Sequence, residues 1–170
     1  MMTKEQILSC LRELGEELAL QGFQGEILLT GGASMCLVHE ARDMTKYIDA
    51  LYEPKTLINK IAEDIAERNN LPLGWLNDSV KGFVGLNAPV EEFIVLSGLK
   101  IQTVSAEYLL AMKLISARYG EKDYEDIQFL LNKLKIDTVE KAYEIIQIYF
   151  PAKQILPKTM YLLEEMLINE

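Results

Sequence analysis

Charges alternate with apolar residues through the first twenty positions, MMTKEQILSCLRELGEELAL, a pattern that predicts an amphipathic helix over 4–21. Thr3 with Gln6 supplies its capping box and Gly22 its end. A short apolar run at 27–29 predicts a first strand. A Gly-Gly turn at Gly31 and Gly32 follows, then a short helix over 33–40 and a second strand over 46–52. Pro54 suits the first position of the next helix, whose Leu57, Ile58, Ile61 and Ile65 follow helical spacing until Pro72 and Gly74 break it. Two strands, 92–97 and 99–104, meet across Gly98. After Ser105, an N-cap residue, the pattern is helical in four pieces: 106–119, 122–133, 138–149 and from 157 onward. Asp137 and Glu140 are expected to cap the third piece. The expected fold is therefore α/β (α+β), a small mixed sheet flanked by helices. Its core is 1–104, and a helical region, 105–170, packs on it as one compact unit.

Composition narrows the classes. Hydrophobic content of 49% and charged content of 25% are those of an ordinary globular chain, with no internal repeat or low-complexity linker. Cys10 and Cys36 lack metal-ligand spacing and read as free, buried thiols of a reducing compartment. The N-terminal pattern is that of a helix, not a signal peptide, and no apolar run approaches the ~20 residues of a membrane span, so a cytoplasmic protein with no membrane partner is expected. A net charge of -9 argues against broad nucleic-acid binding, which draws on clustered Lys and Arg; here the 17 basic residues are scattered among acids.

The chemistry concentrates in EILLTGGASMCLVHEARDMTKYID, 26–49. Two glycines between strand and helix let backbone N–H groups approach a phosphate, because no Cβ intervenes, and a helix start adds donors without intrahelical partners. Ser34 can add a hydroxyl. The same dipeptide also serves as a plain tight turn. On the second strand, positions 47 and 49 share a face, where paired carboxylates would clamp the metal ions of a nucleoside triphosphate. This chain offers Tyr47 and Asp49. A phenol is a poor Mg²⁺ ligand at neutral pH, and Asp49 alone holds Mg²⁺ weakly. Otherwise Asp49 is a strand-end residue facing solvent, or paired with Lys46 or Arg42.

Other positions carry two readings each. Lys113 lies within an apolar helical stripe and needs an anionic partner or a path to water. Asp123 and Asp126, at the start of the next helix, can neutralise it or Arg118. His39 reads as a surface or capping residue and Trp75 as a core anchor. Glu91 and Glu92, just before the third strand, are candidates for a third acid by position only.

The segments GGASMCL, TKYIDALYEP, LPLGWLNDSVKGF and SAEYLLAMKLISARYGEKDYEDIQFLL, with the ending YFPAKQILPKTMYLLEEML, resemble in order a family of uncharacterised prokaryotic nucleotidyltransferase-like proteins. That family is distantly related to the abortive-infection toxin nucleotidyltransferases of AbiEii type. The resemblance spans 26–165 and implies a nucleotidyltransferase fold. It matches Gly31 and Gly32 to the phosphate-cradling turn and Asp49 to the second acid of a D-x-D pair, with Tyr47 at the lost first acid. Thr45 precedes Lys46, which stands where Arg is usual. Asn77 and Asp78 fall in the Trp-Leu-Asn-Asp motif; Asp78 either restores the metal site or, with Asn77, caps the helix or turn after Trp75. Toxin-type relatives use a lysine and a downstream basic-acidic segment around the nucleotide, which makes Lys113, Arg118, Lys122 and Asp123 candidates for that region.

Three functions fit these expectations. The first is a nucleotidyltransferase-fold pseudoenzyme that binds a nucleotide or Mg-NTP with weakened or absent catalysis. The second is an active enzyme moving a nucleoside monophosphate to a protein or RNA acceptor. The third is an interaction module with a protein partner in a toxin–antitoxin-like system.

Overall fold

A computed structural model describes residues 1–116 and 120–168. Its architecture is mixed α+β, and the chain divides into two compact units: 1–85 with 90–104, and 86–89 with 105–170. In the first unit, β1 (Met2–Thr3) leads into α1 (Lys4–Leu20), whose capping box forms as expected, Gln6 N–H donating to Thr3 Oγ1 and Thr3 N–H to Gln6 Oε1. There follow β2 (Gly25–Leu29), α2 (Gly31–Leu37), β3 (Met44–Thr45), β4 (Ile48–Glu53), α3 (Lys55–Asn69), β5 (Leu76–Asn77), β6 (Val90–Leu96) and β7 (Leu99–Val104).

The main sheet has the order β5-β4-β2-β7-β6, and β1 pairs with β3 in a separate ribbon. Central β2 runs antiparallel to β4 and parallel to β7. The core of this unit lies between the sheet and helices α1 and α3, with Ile7, Leu11, Leu14, Ile27, Leu29, Ile58, Ile65, Trp75 and Ile101 almost fully enclosed. Trp75 is thus a core anchor, and its indole N–H donates to the Ala62 carbonyl. Gly98 turns the β6–β7 hairpin at φ +71 and lies against Gly15 of α1.

Several boundaries differ from those read off the pattern. α2 begins at Gly31, two residues early, and stops at Leu37. β4 begins at Ile48, so Tyr47 lies outside the strand whose alternation was to pair it with Asp49. Pro54 is the N-cap of α3, not its first residue. β1, β3 and β5 were not anticipated at all.

The second unit contains α4 (Ala106–Ser116), α5 (Glu121–Lys133), α6 (Val139–Tyr149) and α7 (Pro157–Ile168). Ser105 Oγ accepts the Tyr108 N–H at the start of α4; the expected continuation of that helix to Tyr119 falls outside the described residues. α6 is capped by Thr138, whose Oγ1 accepts the Lys141 N–H, while Asp137 turns its carboxylate to the Lys141 ammonium at 2.5 Å. Among the described residues no helix is long and apolar enough to cross a membrane.

Candidate functional site

Antiparallel pairing of β2 with β4 sets Leu29 opposite Ala50, so the residues just beyond, Thr30 and Asp49, face each other where β2 gives way to α2. Thr30 commits both its N–H (3.1 Å) and its hydroxyl (3.0 Å) to the Asp49 carbonyl, and its side chain therefore leaves the α2 start uncapped. The next residue must turn sharply. Gly31 does so at φ +55, a conformation that costs an L side chain roughly 1–2 kcal/mol. A Cβ there would lie 3.5 Å from Asp49 Oδ2, so the glycine backbone and the half-buried carboxylate are neighbours. Gly32 is crowded from the other side: a Cβ would meet Thr45 Oγ1 at 2.8 Å and Arg42 Nη1 at 3.0 Å.

The far wall is built by β5. Its parallel register pairs Asn77 with Asp49. Asn77 Oδ1 accepts the Ser79 N–H at 3.1 Å, and this small turn brings Ser79 Oγ to 3.4 Å from Asp49 Oδ1. Asp78 points elsewhere, to the Lys55 ammonium at 2.5 Å, which holds its partly exposed carboxyl below the usual range. Tyr52 donates to Asn59 Oδ1 at 2.7 Å; burial, with a smaller push from Asp78, moves its phenol up to about 12.

The structure sorts the candidates. Gly31, Gly32, Thr45, Asp49 and Asn77 come together at one edge of the sheet. Tyr47 is exposed, with the Lys46 ammonium 5.1 Å from its ring centre, so Lys46 is drawn to the phenol ring. Ser34 is corrected: it is fully buried, and its hydroxyl shares a 2.6 Å hydrogen bond with Thr103, a core contact that no external phosphate reaches. Asp78, paired with Lys55, does not restore a second carboxylate beside Asp49. Glu91 and Glu92 lie on edge strand β6, three strands from β4; at about 4.8 Å per strand they are far outside metal-bridging distance. Among the described residues no group of three or more His, Cys, Asp or Glu side chains is placed to hold a metal ion. One carboxylate fits a single Mg²⁺ that arrives on a triphosphate, since that ion takes one or two carboxylates plus phosphate and water oxygens; it does not fit a two-metal centre.

In the second unit Lys113 is 9% exposed, with its ammonium 2.7 Å from Asp126 Oδ2 and 3.2 Å from Asp123 Oδ1. The charge cluster foreseen for these residues is an internal one that ties α4 to α5. Lys122 is exposed on α5, and Arg118 lies outside the described residues.

Sequence reasoning missed Ser79 and Lys55, which no local pattern marks, and saw Arg42 only as a partner for Asp49. Comparison of the chain with protein-family models, with curated proteins and with solved structures gave no match in any of the three.

Proposed function

We propose that the first unit is a nucleotidyltransferase-like scaffold that binds a nucleoside triphosphate weakly, in its magnesium form, and catalyses little or no transfer. The supporting observation is the Asp49 carboxylate beside left-handed Gly31. α2 is only seven residues long, so its dipole adds little. What matters is the charge balance at the glycines. A bare phosphate near the Gly31 and Gly32 amides would meet the Asp49 carboxylate and be repelled. Mg²⁺ carried by the nucleotide reverses the sign of that interaction, with Asp49 as its one protein carboxylate. The Arg42 guanidinium beside Gly32 adds a positive charge on the opposite flank. With Tyr47 outside β4 and Asp78 bound to Lys55, a second ion finds no carboxylate among the described residues to hold it, which is why transfer should be slow or absent.

Titration of isotope-labelled protein by NMR with Mg-ATP, Mg-GTP and metal-free ATP tests this. Resonances of Gly31, Gly32 and Asp49 should move with the magnesium forms and stay still with metal-free ATP. Asp49→Asn should remove the magnesium requirement. A glycine turn silent to both magnesium nucleotides overturns the proposal.

A further inference from the structure

The outward side of α6 and α7 joins large apolar side chains to an excess of carboxylates. On α6, Glu140, Tyr143, Glu144, Gln147 and Ile148 line a shallow concavity of about 560 Å³. Their spacing of three or four places them along one helical stripe. α6 and α7 pack against each other, and Glu164 of α7 lies near enough to help raise the Tyr143 phenol, after burial as the larger cause. One turn to either side of Glu164 stand Tyr161, 71% exposed, and Ile168, 68% exposed; Ile148 on α6 is 62% exposed.

Large apolar side chains scattered singly on a surface need no explanation, but here three are exposed on two helices that pack against each other. The nearby Lys141 is already neutralised by Asp137, whereas Glu140, Glu144, Glu164 and Glu165 surround the apolar residues. We propose that this face docks a basic amphipathic helical segment of a partner protein, its apolar side covering Tyr143, Ile148 and Tyr161 and its Lys or Arg residues meeting the glutamates. Charge selects that occupant. A second copy would bring glutamates against glutamates, and an anionic membrane surface would be repelled.

A designed Leu/Lys amphipathic peptide of about 18 residues, long enough for a helix, serves as probe, with a Leu/Glu peptide of the same pattern as control. Chemical-shift mapping should place the Leu/Lys peptide on α6 and α7 and find no binding of the Leu/Glu peptide. Ile148→Ser with Tyr161→Ser, both exposed and thus compatible with folding, should weaken binding by roughly tenfold or more, as loss of central apolar anchors does. Glu144→Lys with Glu164→Lys should weaken it comparably, and the same two-charge reversal at exposed Glu63 and Glu67 of α3 should not. Equal loss from both charge reversals means attraction to net charge alone and overturns the proposal. So does absence of peptide binding, or sedimentation showing that the protein dimerises through this face.

Discussion

Asp126 is 2% exposed, and its carboxylate sits 2.7 Å from the ammonium of Lys113. Two such groups are expensive to desolvate, and the pair is tolerable only while both members are present. Asp126→Ala leaves the buried ammonium with only the longer Asp123 contact at 3.2 Å and should destabilise the protein by up to about 3–5 kcal/mol, the upper range for breaking a buried ion pair. Lys113→Met combined with Asp126→Leu should recover most of that loss, and chemical denaturation of both variants checks the order. If Asp126→Ala costs no more than an exposed substitution, the pair is not buried in solution. Tyr52 gives a prediction in pH. Its phenol ionises near 10 in the unfolded chain and near 12 in the folded one. Between those values the unfolded state has released a proton that the folded state still holds, so stability is fully present below pH 10 and falls as pH rises toward 12. Tyr52→Phe should flatten that decline relative to the parent chain, as measured by urea unfolding at pH 9 to 11 (about the range that brackets an ordinary phenol). A decline of unchanged slope in the variant assigns it to other groups.

Close approach of α1 to the β6–β7 hairpin decides what substitution does at two glycines. Ala in place of Gly15 gains about 1 kcal/mol in helix propensity, yet its Cβ would sit 2.3 Å from the Ser97 carbonyl oxygen. Overpacking of that kind costs about 1–3 kcal/mol, and a backbone atom cannot swing aside. Gly98→Ala suffers more: a Cβ would lie 2.1 Å from the Gly15 oxygen, at a φ of +71 that disfavours any side chain. Thermal midpoints should fall in the order Gly98→Ala, then Gly15→Ala, with Gly82→Ala, whose Cβ meets nothing within 4 Å, close to the parent. A Gly15→Ala protein more stable than the parent would show that propensity outweighs the contact. The same long-range contacts explain what the sequence revealed. Helices α1, α3 and α6 were legible because eleven or more residues repeat one period, and β7 because it alternates. Two-residue β1, β3 and β5 have no period to read; they exist through pairings such as Met2 with Thr45 and Ile48 with Leu76. Glycine's poor propensity hid the first turn of α2. At the candidate site the glycines and Asp49 were visible as residue types, but the β2–β4 register that joins them was not. Neither the inward turn of Ser34 toward Thr103 nor the attachment of Asp78 to Lys55 leaves a local trace.

With 26 acids against 17 bases, the molecule carries nine uncompensated negative charges. Two like charges ~15 Å apart in water repel by only about 0.3 kcal/mol, yet many such pairs act at once in a compact state. Among the described residues, solvent-accessible ion pairs oppose this: Lys4 with Glu40, Lys55 with Asp78, Arg68 with Glu13 and Glu17, and Lys141 with Asp137. Each contributes about 0–1 kcal/mol and weakens in salt. Short-range attractions of that size are outnumbered by the repulsions, so screening should help the folded state more than it harms it. Raising ionic strength from about 0.01 M to about 0.5 M shortens the screening length severalfold and should raise the thermal midpoint by a few degrees. NaCl and KCl should act alike, since the effect is screening and not a bound ion. The same charge should keep duplex DNA unbound at about 0.15 M salt, where non-specific binders are held by clustered Lys and Arg, whereas the 17 basic residues here are scattered along the sequence. Any nucleic-acid acceptor would then need a local basic patch acting against the field of the whole molecule. A midpoint that drops with salt would mean that the ion pairs dominate, and tight binding to duplex DNA would mean that such a patch exists.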